Sequence, residues 1–532
     1  MKRMMIRVLA VILLCAILLG GCFGSLPGWL QQGLAISFED MVYTRPDVAA
    51  FRQELTKAME AAASETKVDK LMETVYSLYG FYYEYSTNLN LANIRFFQDM
   101  TDIYWSQEYN YCLEYSTEVT AGMDNFLRAL AKSPLRKDLE ADEFFGKDFF
   151  AMYDGETLWT EEFTQLMNQE NDLMEQYYDI STKALEVPGY SLEYFEGYGL
   201  QLEQIYVELI RVRQQIAASA GYSSYPEFAY SFYFNRDYTP EQTNGYLAQV
   251  QTELVPLYEK LDDSVWRPLQ EGCSQQHTFD YVKECAQAMG GVAKEAFDLM
   301  SKANLYDITY SENKYNASFE VFLISYYEPF IFMNPMGNQR DKLTFVHEFG
   351  HFCNDYAAFG STVGIDVAEV FSQGMEYLSL GYCQDTQDLT RMKMADSLCV
   401  FVEQSAYASF EHQVYLLDEE DLTVEGVRGL YGKISEDFGF PATERDPREY
   451  TLIPHLFIQP MYVISYVVSN DVAMQIYAKE LETKGKGLEL WENGLYTTQI
   501  GLLGFVEEAG LESPFRDGGV AKIREILERQ MQ

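Results

Sequence analysis

His347, Glu348 and His351 fall in the run Asp341-Lys342-Leu343-Thr344-Phe345-Val346-His347-Glu348-Phe349-Gly350-His351. On a helix, residues four apart share a face one turn apart, so both imidazoles reach the same ion. A zinc ion held by two His and one further protein ligand keeps an open position and lowers the pKa of a water there. Glu348 then lies beside the metal without having to bind it, and its carboxylate is placed to take the water's proton. The chain has only 5 His in 532 residues, and chance produces this spacing roughly 0.005 times per chain.

Two candidates for a third ligand follow, Glu369 and Glu376, both in the run Asp366-Val367-Ala368-Glu369-Val370-Phe371-Ser372-Gln373-Gly374-Met375-Glu376. Seven residues apart, they share one helix face. One can ligate zinc while the other accepts a hydrogen bond from a ligating imidazole, a role also open to Asp366. Spacing alone leaves the choice between the two glutamates open.

These side chains need a rigid scaffold, and most of the chain reads as helix. From about residue 41 to 300, apolar residues recur at three and four spacing, as in Leu202, Ile205, Tyr206, Leu209, Val212 and Ile216. Pro240 marks a helix start and Gly221 a helix end. Tyr76, Tyr79, Tyr82 and Tyr83 recur at helical spacing and are expected to pack. Within Phe319–Met333, two short apolar runs flank Tyr327-Glu328-Pro329, which predicts two strands just before the histidine helix. Such strands either fill the core or offer an edge to an extended peptide. Asp341 is the expected N-cap of the helix that follows. His277 and His412 lie in polar or acidic surroundings and are expected to be solvated, whereas His455 sits in an apolar run ahead of Tyr462 and Tyr466.

Hydrophobic residues make up 48% of the chain and aromatic residues 15%, enough to drive collapse into a folded body. A net charge of -42 repels phosphate backbones and argues against nucleic acid as a partner. At the N-terminus, Lys2, Arg3 and Arg7 precede or open the apolar run Val8–Leu19, which ends in Gly20-Gly21-Cys22. That order predicts a signal peptide over 1–21, too short for the roughly 20 apolar residues of a spanning helix. Leu19-Gly20-Gly21-Cys22 resembles a bacterial lipobox, which implies a lipid on Cys22, a membrane partner and an extracytoplasmic location on a bacterial cell membrane. A tether over 22–40, an N-terminal helical region over 41–240 and a catalytic region over 241–532 complete the expected organisation. Of the six cysteines after Cys22, Cys273 and Cys285 are close enough in sequence to consider as a pair, but no bridge is assigned.

The run HEFGH followed by DVAEVFSQGMEY resembles the thimet oligopeptidase and oligoendopeptidase F family of zinc peptidases. Phe330-Ile331-Phe332-Met333-Asn334 and Ile453-Pro454-His455, with Tyr462 and Tyr466 beyond it, agree with that family. The resemblance covers about residues 200 to 500. It implies Glu369 as the third ligand of one zinc per chain, and His455, Tyr462 and Tyr466 as donors to the reacting carbonyl oxygen. It also implies a mostly helical, two-lobed peptidase whose deep central channel admits short peptides, with a small β-sheet beside the zinc-binding helix. A catalytically inactive peptide-binding lipoprotein of the same fold is the principal alternative, and a zinc amidase acting on cell-wall fragments is another.

Overall fold

Apolar stripes at helical spacing become long helices because each needs a partner face to bury against. The computed structural model describes residues 36–154, 160–184, 187, 191–384 and 386–531. The expected signal peptide, Cys22 and most of the expected tether lie outside the described residues. Residues 36–40, read as the end of the tether, belong to the body instead: Phe38 is buried, and the Ile36 N–H donates to Glu328 Oε1 at 3.1 Å. A segment of five residues is too short to show a period, so its packing left no pattern in the sequence.

Three helices, α1 (Val48–Ser64), α2 (Val68–Gln98) and α3 (Ile103–Ala131), pack on one another. Asp47 and Asp102 cap α1 and α3 by accepting backbone N–H bonds. Tyr79 and Tyr82 are buried on α2 as expected, while Tyr76 stays exposed at the rim. Next come α4 (Glu161–Ala184) and α5 (Leu200–Ser219), packed together, with Gly221 just beyond α5 at φ +83°. Pro240 is the first residue of α6 (Pro240–Glu253), where Thr239 and Gln242 cap each other reciprocally. Then α7 (Gln275–Met289) leads towards the sheet.

The two predicted strands form as β2 (Ser318–Leu323) and β3 (Glu328–Met333), paired antiparallel, with a two-residue β1 (Tyr306–Asp307) added parallel to β3. The order β1-β3-β2 buries β3 in the middle and leaves β2 at an edge. Both β2 and β3 pack against α8 (Arg340–Ala358), the histidine helix. Asp341 is not its N-cap. The helix starts one residue earlier, and the buried Asp341 carboxylate accepts from the N–H groups of Met336 and Gly337 at 2.8 and 2.7 Å, tying down the loop that delivers the helix.

A tight seam joins α8 to α9 (Ile365–Tyr382). Gly350, inside the HEFGH run, makes it possible, since a Cβ there would lie 2.6 Å from Ser372 Cα and 2.8 Å from the Phe371 carbonyl oxygen. The remaining elements that frame the site are α10 (Gln387–Cys399), α11 (Ser405–Val414), the short α12 (Pro454–Ile458) and α13 (Ile464–Glu482), which packs along α9. One continuous cluster of buried apolar side chains runs from Phe38 to Leu527. No described helix is long and apolar enough to cross a membrane.

A disulfide joins Cys285 on α7 to Cys383 at the end of α9, residues 98 apart in sequence. The pairing considered between Cys273 and Cys285 is therefore replaced. Cys273 is a buried free thiol whose Sγ lies 3.4 Å from Thr278 Oγ1. Sequence proximity is a poor guide here because the bridge links two packed helices and not neighbouring turns. His412 also departs from expectation. It is buried on α11, with Nε2 2.8 Å from the Tyr230 hydroxyl and Nδ1 2.8 Å from Asn244 Oδ1, and burial lowers its pKa to about 3. Its acidic neighbours in sequence concealed a buried face of the helix. His277 is exposed, as expected.

Candidate metal and catalytic site

The α8–α9 seam brings His347, His351 and Glu369 together, with one potential ligand atom from each, all within 4.8 Å of one another. His347 Nε2 lies 3.5 Å from Glu369 Oε2. On the other side of the same ring, Nδ1 is 2.9 Å from Glu376 Oε1. Glu376 in turn meets the buried Lys393 of α10 at 2.8 Å. The two glutamates that spacing left equivalent are thereby separated. Glu376 accepts from Nδ1–H and so orients the imidazole with Nε2 towards the position a metal would take, while Glu369 stands among the donors themselves. Ser372 donates to Glu369 Oε2 at 3.0 Å, and the Tyr462 hydroxyl donates to Oε1 at 3.3 Å.

The carboxylates of Glu376 and Glu369 stabilise positive charge on the His347 ring. Burial opposes ionisation of Glu376, but Lys393 and then His347 outweigh it and hold the carboxyl near a pKa of about 2. Burial also disfavours charge on His347, yet its bond to Glu376 and the charge of Glu369 raise its pKa to about 9. His351, buried and next to His347, is lowered to about 3 and stays a neutral donor. Glu348 is raised by burial to about 7, the range in which a carboxylate both accepts and returns a proton near neutral pH.

A cavity of about 430 Å³ opens over these groups. His347, Glu348, His351 and Glu369 line it together with Tyr462, Tyr466 and the edge strand β2. Tyr462 does not share a helix with Tyr466. It lies in the turn between α12 and α13, directly after Met461 at φ +66°, while Tyr466 is in the first turn of α13. The turn nevertheless brings their rings to 5.1 Å. His455, on α12, stacks on Tyr462 at 5.6 Å and 21° and is not among the described residues lining the cavity. Burial lowers its pKa to about 4, so it is neutral. Asp366, expected beside a ligating histidine, instead faces the Tyr238 hydroxyl at 2.8 Å and Arg236 at 3.3 Å. It sits at the start of α9, one turn before Glu369, so its side chain meets a different neighbour.

Three supporting charges escaped the sequence reading. Lys393 sits between Met392 and Met394 with nothing local to mark a partner. Arg213 falls in the apolar stripe Tyr206, Leu209, Ile216, and that placement was the available signal of a buried cation. It pairs with Glu170 at 2.6 Å and donates to the carbonyls of Leu456, at 2.9 Å, and Phe457. Glu411 accepts from the Met461 N–H at 2.7 Å. Between them, Arg213 and Glu411 fix both ends of the turn that carries Tyr462.

Residues 38–157 match the peptidase M3 N-terminal domain. No curated protein matches the chain in sequence. Among solved structures, a protein named oligoendopeptidase F superposes with a TM-score of 0.79 at 21% identity, covering 93% of this chain and 98% of that one. PZ peptidase A, solved with an inhibitor, gives 0.78 at 19% identity, over 93% of this chain and 100% of the other. An oligoendopeptidase F from Bacillus anthracis gives 0.75 at 21%, over 93% and 98%. The similarity drawn from the histidine helix, in the second half of the chain, thus meets an independent domain match in the first third. The domain match, the shared fold and the His347-His351-Glu369 cluster together support a metallopeptidase.

Proposed function

We propose that the chain is a zinc-dependent oligopeptidase that cuts peptide bonds in short peptides, with one zinc per chain held by His347, His351 and Glu369. The observation that carries this reading is the convergence of those three donors beside Glu348 on the wall of a 430 Å³ cavity. Two imidazole nitrogens and one carboxylate oxygen form a donor set that suits zinc and leaves room for a water or a substrate oxygen. A zinc ion bound there supplies Lewis acidity, which both acidifies a water and polarises a carbonyl.

The chain's own groups supply the rest. The Glu348 carboxylate takes a proton from the attacking water and returns it to the leaving amine. The Tyr462 and Tyr466 hydroxyls donate to the carbonyl oxygen as it gains negative charge. The free edge of β2 pairs with the backbone of an extended substrate, and the cavity's size favours a single peptide segment over a folded domain. A quenched fluorescent peptide, assayed with the zinc content of the same sample, tests the reading. Full zinc without cleavage of a diverse peptide mixture overturns it and favours the peptide-binding alternative.

The tyrosines carry a separate prediction. Tyr462→Phe or Tyr466→Phe is expected to lower kcat by roughly 10²-fold or more with little change in zinc content, the effect of removing one oxyanion donor. Full kcat in both single variants and in the double assigns the oxyanion to other groups.

Location is part of the proposal. A lipid on Cys22 holds the enzyme on the extracytoplasmic face of a bacterial cell membrane, a reading supported by the signal-like N-terminus and by the Cys285–Cys383 bridge, since disulfides persist in oxidising compartments. Cys22→Ser is expected to release the protein from isolated membranes into the soluble fraction, because the acidic body has little attraction for anionic lipid. Unchanged membrane association in that variant assigns anchoring to the apolar run 8–19.

A further inference from the structure

Asp355 lies four residues after His351, so α8 carries it about 6 Å further along the same face, roughly two residues of an extended peptide. There its carboxyl neighbours that of Glu320 on the edge strand β2, and both groups line the cavity. Asp355 Oδ1 also accepts from the Ser361 N–H at 2.7 Å. Burial raises both pKa values, that of Asp355 to about 6, and the charge of Glu348 adds to the rise at Glu320. Two touching carboxyl groups in this setting hold a proton between them.

No Arg or Lys among the described residues forms an ion pair with either carboxyl group. Elsewhere in the described residues, the buried Glu170, Glu203, Asp366, Glu376 and Asp471 each pair with an Arg or a Lys. Among the described residues, Glu320 and Asp355 have no such partner in any ion pair, and no Arg or Lys lines the cavity. A second observation comes from Asn354, which lines the same cavity, is only 2% exposed, and has an Nδ2 donor with no partner among the described residues. A buried amide left without an acceptor is costly unless something arrives to accept its hydrogen bond. A peptide brings both missing groups, a carbonyl for Asn354 and a cationic side chain for the acidic pair.

We propose that Glu320 and Asp355 form a subsite for a lysine or arginine side chain of the substrate, with Asn354 donating to a substrate backbone carbonyl beside it. The assignment rests on the peptidase reading above. The incoming ammonium or guanidinium takes over the charge that the shared proton neutralises, so the pair ionises against the substrate. A neutral side chain leaves the proton in place, and an acidic one meets repulsion.

The test uses N-acetylated quenched peptides identical except at one of three positions on either side of the scissile bond, filled in turn by Lys, Arg, norleucine or Glu. For the wild-type enzyme, kcat/KM at one position is expected to be at least about tenfold higher for Lys or Arg than for norleucine, and lowest for Glu. Asp355→Asn and Glu320→Gln, made separately so that one can fail to fold without ending the test, are each expected to bring that ratio towards one. No position showing a cationic preference in the wild type overturns the subsite, as does a preference that survives in both variants. A preference seen only when the peptide amino terminus is left free overturns the side-chain assignment in favour of a terminal ammonium. Zinc-loaded enzyme that cuts none of the peptides overturns the peptidase reading, and the subsite with it, an outcome distinct from cleavage without charge preference.

Discussion

Glu348→Gln is expected to retain zinc and lose roughly 10³-fold to 10⁴-fold or more in kcat. The substitution keeps the side chain's size and leaves His347, His351 and Glu369 untouched, so the metal donors remain in place. What disappears is the carboxylate adjacent to the metal donors that can take a proton from water and give it back. General acid–base catalysis typically contributes 10²-fold to 10⁴-fold, and in the proposed mechanism Glu348 serves twice, once for the water and once for the leaving amine. Its burial raises the pKa to about 7, near the pKa of a zinc-acidified water, which suits both duties. Zinc content by elemental analysis and kcat on one peptide decide the matter together. Near-normal turnover with full zinc would remove Glu348 from the mechanism.

How much of this site the sequence revealed follows from the range over which each contact acts. His347 and His351 were legible because one helical turn sets their relation, and a turn is local. The strands β2 and β3 were legible through their apolar composition, and Gly221 and Pro240 through their backbone limits. The choice between Glu369 and Glu376 was not legible from spacing, because residues seven apart occupy nearly the same angular position. A lysine on a different helix separates them. The disulfide partner of Cys285, the burial of His412 and the turn holding Tyr462 were hidden for the same reason, since each depends on a contact between elements far apart in sequence. Arg213 is the instructive exception. A cation within an apolar stripe signals a buried ion pair, and only the identity of its partners, Glu170 and the carbonyls after His455, required the fold.

That division between local and distant causes leads to the sharpest contrast available at the metal. Glu369→Ala is expected to abolish zinc retention and with it all measurable activity, since one of three protein ligands is lost and the remaining two histidines would have to hold the ion alone. Glu376→Ala removes no ligand. It removes the carboxylate that fixes the His347 ring through Nδ1, and zinc affinity is expected to fall by roughly 10-fold to 100-fold, the usual cost of deleting such a partner. The substitution also strands Lys393, whose buried ammonium loses its 2.8 Å partner and disfavours a cation nearby. Glu376→Gln keeps an oxygen to accept from Nδ1–H and should bind zinc better than Glu376→Ala, a rescue that Glu369→Gln should not achieve to the same degree, because a neutral amide is a weak zinc ligand. Zinc titration of the four variants under a competing chelator reads the order directly. Loss of zinc in Glu376→Ala with retention in Glu369→Ala would exchange the two roles and move the third ligand one face-equivalent position along α9, which the 3.5 Å approach of His347 Nε2 to Glu369 argues against.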